Sequence, residues 1–190
     1  KENPFPAVCG RVCTHPCESM CRRAQLDEPV AIADLKRYAA DFVMSHSEPY
    51  LDLMFPDKGM SIGIIGAGPS GLTCGYYLAR LGYSVEVYES ANVAGGVLSF
   101  GIPEYRLPKN IIDYEIEQIC RTGVKIHLNT EVGKDISFEE IKSKHSAIYI
   151  ATGTQLSRKA DIPGEGLEGV YHGLDFLREV NLGMQIKTGD

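Results

Sequence analysis

Two groups of residues in this chain have types and spacings that can do chemistry. The first is Gly66-Ala67-Gly68-Pro69-Ser70-Gly71, which spells G-x-G-x-x-G directly after the apolar run Ser61 to Ile65. Gly66 permits a tight turn out of a strand, Gly68 lets backbone approach a pyrophosphate, and Gly71 lets a helix pack closely on the strand. The helical stretch that follows, Leu72 to Leu81, offers unpaired N–H groups and a partial positive charge to an anion. A second strand, Val85 to Tyr88, ends on Glu89. A carboxylate at that distance accepts hydrogen bonds from a ribose 2′-OH and repels a 2′-phosphate. These residues predict a dinucleotide site for FAD or NAD and against NADP.

The second group is Cys9, Cys13, Cys17 and Cys21, one cysteine every fourth residue. Gly10 and Pro16 interrupt a continuous helix, which predicts a loop with short helical turns whose thiols converge on a metal. Metal or cluster ligation leads on this spacing, with buried free thiols or disulfides as the alternatives. His15 reads as a surface group or one that supports the ligands. Cys74, without a C-x-x-C partner, and Cys120, at a core position, carry no predicted chemistry.

The rest of the chain must position these groups. Its 190 residues are 44% hydrophobic and 23% charged, as in an ordinary globular protein with room for one or two domains. The net charge of −6 leaves no electrostatic footprint for nucleic acid. Ser61 to Ala79 is free of charge and contains Gly71-x-x-x-Gly75, which imitates a membrane span, but Pro69 and five glycines rule out one apolar helix. The chain begins Lys1-Glu2-Asn3-Pro4 with no Met and no basic–apolar signal pattern, a start that reads as a cut inside a longer protein.

In the head, Asp27-Glu28-Pro29 predicts the start of a helix. Ile32, Leu35, Ala39, Phe42 and Val43 would form its apolar face, and Asp34, Lys36, Arg37 and Asp41 would face water. Pro49 to Gly59 reads as a linker. Further on, Pro108 predicts a helix through Arg121 with Ile112, Ile116, Ile119 and Cys120 inward, stopped by Gly123. Val124 to Leu128 reads as a strand, Ser137-Phe138-Glu139-Glu140 as a capping box, and Ala147 to Ile150 as a buried strand. Gly95-Gly96 reads as a close backbone approach or a surface turn.

Asn3-Pro4-Phe5-Pro6, Cys9-Gly10-Arg11-Val12-Cys13, Pro16-Cys17-Glu18 and Cys21 resemble the head of the glutamate synthase (NADPH) small-subunit superfamily. That superfamily includes the N-terminal half of dihydropyrimidine dehydrogenase and related NAD(P)H-linked flavoproteins. The likeness extends from residue 3 to about residue 180. It implies an α/β fold: a small helical cysteine-rich iron–sulfur domain over 1–57, then a partial Rossmann-like FAD-binding domain with a doubly wound parallel sheet over 58–155. Residues 156–190 would be a connector toward an NADPH-binding domain, since no second G-x-G-x-x-G appears. Thr188-Gly189-Asp190 lacks the preceding strand of a late Gly-Asp flavin motif.

The resemblance further implies two [4Fe-4S] clusters. Cys13 and Cys17 match ligands of one and Cys21 a ligand of the other, with more ligands upstream of Lys1, so that this chain alone does not fill both. Cys9 matches a cysteine that only some members have. Lys36 stands where some members carry a Gln or Glu ligand; an ammonium cannot ligate iron, and Cys9 is the expected substitute.

For the flavin, the likeness adds Gly95, Gly96, Val97 and Arg106 beside the ring and pyrophosphate, the Val132 backbone at the adenine, and Ala151-Thr152-Gly153 as a small turn against FAD. The first site is thereby FAD rather than NAD. The expected activity is electron transfer from NADPH or NADH through FAD and iron–sulfur clusters to a large catalytic subunit or another redox partner. No catalytic residue is expected in the chain, and the compartment expected is the cytoplasm. The alternatives are a ferredoxin- or sulfur-linked NAD(P)H oxidoreductase subunit and a non-catalytic, metal-stapled nucleotide-binding module.

Overall fold

The computed structural model describes residues 3–46, 54–184 and 186. In chain order the head holds α1 (Pro6–Val12), α2 (Pro16–Ser19), a 3-10 turn (Arg22–Gln25) and α3 (Ile32–His46). There follow β1 (Ser61–Ile65), α4 (Pro69–Arg80), β2 (Ser84–Tyr88), α5 (Val97–Phe100), α6 (Lys109–Cys120), β3 (Lys125–His127), α7 (Phe138–Lys144), β4 (Ala147–Ile150) and α8 (Gly173–Asn181).

All four strands run parallel in the order β3-β2-β1-β4. Alternation places Ile62 and Ile64 on one face of β1 and Ser61, Gly63 and Ile65 on the other. Helix α4 covers the first face, where Gly75 lies against Ile64, Val85 and Val124. The segment around α7 covers the second, where a Cβ on Gly63 would sit 2.7 Å from the His145 ring. Helices on both faces of a parallel sheet make this the doubly wound α/β arrangement.

β4 was expected to be buried, and here the structure differs. Tyr149 is 39% and Ile150 62% exposed. β4 is the outer strand of the described sheet, so its side chains meet β1 on one side only. At Ser137 the side chain accepts the Glu140 N–H at 3.1 Å, while the Glu140 carboxylate pairs with Lys144, so only half of a capping box forms.

The head also corrects two expectations. Helix α3 begins at Ile32 and not at Asp27. Asp27 is held by the Arg23 guanidinium and accepts the Glu28 N–H, which closes the 3-10 turn instead of opening a helix. The first turn of α3 is met by Glu18 of α2, which accepts the Ala33 N–H at 2.8 Å. The packed face is rotated as well: Leu35, Phe42 and Val43 are exposed, while Ala40 is buried with Met44 against it. The cause is Gly10. It lies inside α1 rather than breaking it, and a Cβ there would sit 2.7 Å from the Arg37 Cα, so α3 crosses α1 at that point. Arg11 then reaches Asp41 at 2.7 Å, which ties the still partly exposed Asp41 to α1.

Residues 54–59 are tied down by Phe55 N–H to the Arg80 carbonyl and Lys58 N–H to the Gly82 carbonyl. The remainder of the expected linker, 49–53, and Thr188-Gly189-Asp190 lie outside the described residues. Phe5, Ala7 and Val8 of the head share one buried cluster with Leu72 and Tyr76 of α4 and Ile111, Ile112 and Ile119 of α6.

Across the second face of the sheet runs a polar network. Ser61 Oγ lies 2.6 Å from His145 Nδ1, and His145 Nε2 lies 3.0 Å from the Tyr88 hydroxyl. Tyr88 donates to Glu86, which also meets His127 Nε2 at 3.0 Å. Burial holds the His145 ring below the usual imidazole range, with Lys144 and His127 acting the same way and Glu86 against them. Burial and the neighbouring Glu86 push the Tyr88 hydroxyl up to about 12.

An unfolded histidine takes a proton near pH 6.5, where the folded His145 does not. Stability is therefore full above about pH 6.5 and falls as the pH drops through that value, by at most about 1.36 kcal/mol per unit for one proton. Thermal midpoints between pH 7.5 and 5.5 check this, and His145→Gln is expected to flatten the slope. An equal slope in the variant assigns the effect to another group.

Candidate functional site: a glycine-lined nucleotide cradle and a cysteine head

The cradle forms where β1 ends. Gly66 turns the chain with φ +105°, and a Cβ on it would sit 2.4 Å from the Ala151 carbonyl oxygen. A Cβ on Gly71 would sit 2.0 Å from the Gly66 carbonyl oxygen. Both positions are glycine because the chain packs on itself there. Gly68 is different: its φ of −77° suits any residue, and a Cβ on it would meet nothing within 4 Å. No side chain caps α4, which begins at Pro69 and Ser70, so its first-turn N–H groups face the cradle without a side-chain acceptor.

Glu89 is 9% exposed and braces the loop. Its carboxylate accepts the Ala67 N–H at 2.7 Å and the Ala91 N–H at 2.9 Å. A carboxylate has about four lone-pair positions, so acceptor capacity for a hydroxyl remains. Glu89→Ala is expected to weaken flavin binding of the full-length protein about 10- to 150-fold, through loss of charged hydrogen bonds of roughly 1.5–3 kcal/mol. Equilibrium dialysis measures it, and an unchanged affinity confines Glu89 to bracing the loop.

Gly95 and Gly96, with φ of +107° and +56°, come down on the same loop. The Gly95 N–H donates to the Ala67 carbonyl at 2.8 Å, and a Cβ on Gly96 would sit 3.0 Å from the Gly68 Cα. Val97 starts α5 directly beyond. On the other side the Ala151 N–H continues the β1 ladder at the Ile65 carbonyl, Thr152 borders Gly66, and Gly153 turns with φ +68°. Three stretches far apart in sequence thus meet at the C-terminal edge of the sheet, where open α/β sheets bind ligands. Arg106 is exposed, and Val132 packs beside Ile65, Tyr88 and Ile141. Among the described residues no hydrogen bond joins either of them to the cradle.

Sequence reasoning missed two residues here. The Tyr149 hydroxyl lies 2.9 Å from Ser70 Oγ and links β4 to the start of α4. Lys109 donates to the Ser99 and Ile102 carbonyls and so fastens the turn after α5; its burial lowers the ammonium pKa, against Glu104 and Asp113. Neither has a local sequence signal, because each acts on a segment reached only through the fold.

In the head, Cys9 lies in α1 and Cys13 ends it, with the Cys13 N–H on the Cys9 carbonyl. The His15 N–H points at Cys13 Sγ at 3.4 Å, and the His15 ring stands 3.9 Å from Glu18. Cys17 is exposed in α2. Cys21 accepts backbone N–H groups from Val30, Arg23 and Ala24, which hold its thiol below the ordinary range. All four are free thiols, and among the described residues no three metal-ligating side chains are gathered into one group. A single four-thiolate site on these cysteines is not what the chain builds. Thiols of this kind, one of them with backbone amides that favour its deprotonation, suit the soft ligation of iron–sulfur clusters.

A parallel α/β nucleotide-binding unit carrying a cysteine-rich helical head defines a class of redox proteins, and comparison with known proteins agrees. Residues 1–48 match the family described as dihydropyrimidine dehydrogenase domain II, 4Fe-4S cluster, and residues 64–128 match the NAD(P)-binding Rossmann-like domain. The chain is 43% identical to the NADPH-Fe(3+) oxidoreductase subunit beta of Geobacter sulfurreducens, over 98% of this chain and 28% of that one. It is 36% identical to the glutamate synthase [NADPH] small chain of Bacillus subtilis, over 93% of this chain and 36% of that one. FprA from Mycobacterium tuberculosis shares the fold, with a TM-score of 0.60 at 24% identity over 68% of this chain and 30% of that one. Along nearly its whole length the chain is similar to glutamate synthase NADPH small chains and NADPH oxidoreductase beta subunits. It spans about 28% to 36% of the length of these curated relatives.

Proposed function

We propose that this chain is the iron–sulfur head and FAD cradle of an electron-transfer flavoprotein subunit, most like the small subunit of glutamate synthase. In the full-length protein NADPH would be the donor, and a large catalytic subunit or another redox protein the acceptor. The observation that carries the reading is Gly68. It is the one glycine of the G-x-G-x-x-G loop whose missing side chain nothing in the described chain requires, and it lies between the Gly95-Gly96 turn and the uncapped start of α4. A ligand pyrophosphate gives it a reason.

FAD, when bound, supplies the chemistry of accepting a hydride and releasing single electrons. The chain's own groups bind and orient: the loop amides and Gly66 to Gly71 at the phosphates, Glu89 at a ribose, and Gly95, Gly96, Val97, Arg106, Val132 and Ala151 to Gly153 around the remainder. Glu89 disfavours a 2′-phosphate, which assigns NADPH to a separate domain. Cys9, Cys13, Cys17 and Cys21 would serve two clusters, completed by ligands elsewhere in the protein. We place residues 1–57 with the clusters, 58–155 with FAD and 156–190 as a connector. The protein would work in the cytoplasm, where free thiols persist; among the described residues no helix is long and apolar enough to cross a membrane.

A second reading, an NAD(P)H oxidoreductase subunit serving a different acceptor, is favoured by the 43% identity to the beta subunit of NADPH-Fe(3+) oxidoreductase. Anaerobic titration of the full-length protein with NADPH tests what the two share. Bleaching of a flavin band followed by reduction of iron–sulfur signals is expected. A protein without flavin, or a flavin that NADPH does not bleach, overturns both. The subunit that co-purifies separates them.

A further inference from the structure

Glu115 is 1% exposed in the middle of α6, a helix of the nucleotide-binding unit. Its two carboxylate oxygens accept the Ala7 N–H at 2.7 Å and the Val8 N–H at 3.0 Å, across more than a hundred residues of sequence. These are first-turn amides of α1, the helix that carries Cys9 and ends on Cys13. Burying a carboxylate costs several kcal/mol unless hydrogen bonds and charge compensate it, and helix-start amides do both.

Packing does not fill the whole seam against α1. Beside Glu115 the seam between head and nucleotide unit holds a cavity of about 290 Å³, lined by Pro6, Ala7, Ala40, Tyr76 and Gln118 among others. An aliphatic residue at 115 would serve a purely cohesive seam better. A bidentate acceptor fixes where α1 starts and which way it points, and the cysteines lie one and two turns further along.

We infer that Glu115 is a positioning residue for electron transfer. It locks the cysteine-bearing helix to the flavin unit, so that the gap an electron must cross stays short and constant. The inference rests on the functional reading above. Tunnelling falls steeply with distance, so a loosened α1 slows passage from flavin to cluster while leaving hydride delivery to the flavin untouched.

The test uses the full-length holoprotein with Glu115→Gln, which keeps the shape but presents one NH2 group to backbone donors. Glu117→Gln, on the exposed side of α6, is the control. Stopped-flow mixing with NADPH should show flavin reduction at the unaltered rate and cluster reduction slowed about 10-fold or more. Hydrogen exchange on the same full-length proteins should show α1 amides exchanging faster in Glu115→Gln, with β1 to β4 unaffected.

A full-length protein without flavin or iron overturns the functional reading, and the electron-transfer role with it. A loaded Glu115→Gln protein whose clusters reduce at the unaltered rate, or whose α1 keeps its protection, overturns the role of Glu115 alone. If the variant loses its clusters, exchange decides: acceleration confined to α1 supports the role, and acceleration spread over the sheet overturns it.

Discussion

Gly68→Val is expected to leave the fold in place and remove the flavin. The backbone at residue 68 has φ −77° and ψ 179°, which valine adopts freely, and its Cβ would meet no protein atom within 4 Å. The cost to folding is that of a poorer N-cap on α4, about 1 kcal/mol, or about 2–4 °C in melting for a chain of this size. The cost to binding is far larger, because two methyl groups would occupy the path by which a pyrophosphate reaches the amides of Ser70 and Gly71. A loss of about 100-fold or more in FAD affinity is expected, equivalent to about 3 kcal/mol. Flavin content after gel filtration and a thermal melt of the same sample measure both. A variant that keeps a full complement of FAD shows that this loop does not hold the flavin.

Gly71→Ala reverses the pattern. One methyl group would sit 2.0 Å from the Gly66 carbonyl oxygen and 3.1 Å from Ile64 Cγ2. That neighbour is backbone, so relief requires α4 to lift off β1. Overpacking of this kind costs about 3 kcal/mol, or about 6–12 °C in melting. A melt that matches the unaltered chain would mean that α4 stands further from β1 than this contact allows.

These two glycines show what the sequence made legible. G-x-G-x-x-G, the apolar run before it and Glu89 together encode strand, turn, helix and strand within thirty residues, and local spacing suffices to read them. The same fingerprint assigns Gly66 and Gly71 to the chain and Gly68 to a ligand, and what local spacing does not show is how closely the Ala151 carbonyl and the Gly96 turn come down on that loop. Glu89 was read as a ribose partner, yet its hydrogen bond from Ala67 exists only once β2 lies beside β1. The face of α3 was misread because helical periodicity counts apolar residues, whereas Gly10 determined where α1 could touch. No local signal marks Glu115 as buried, because the donors that meet it belong to α1.

The cluster that runs unbroken from Phe5 through Tyr76 to Ile119 has a thermodynamic consequence. Units that share a core do not melt separately, because releasing either one exposes apolar surface on the other. Calorimetry of the chain should therefore record one cooperative transition rather than an early loss of the head. Heat or denaturant would then reach the cysteines and the nucleotide cradle together, and binding at either place would raise the stability of both.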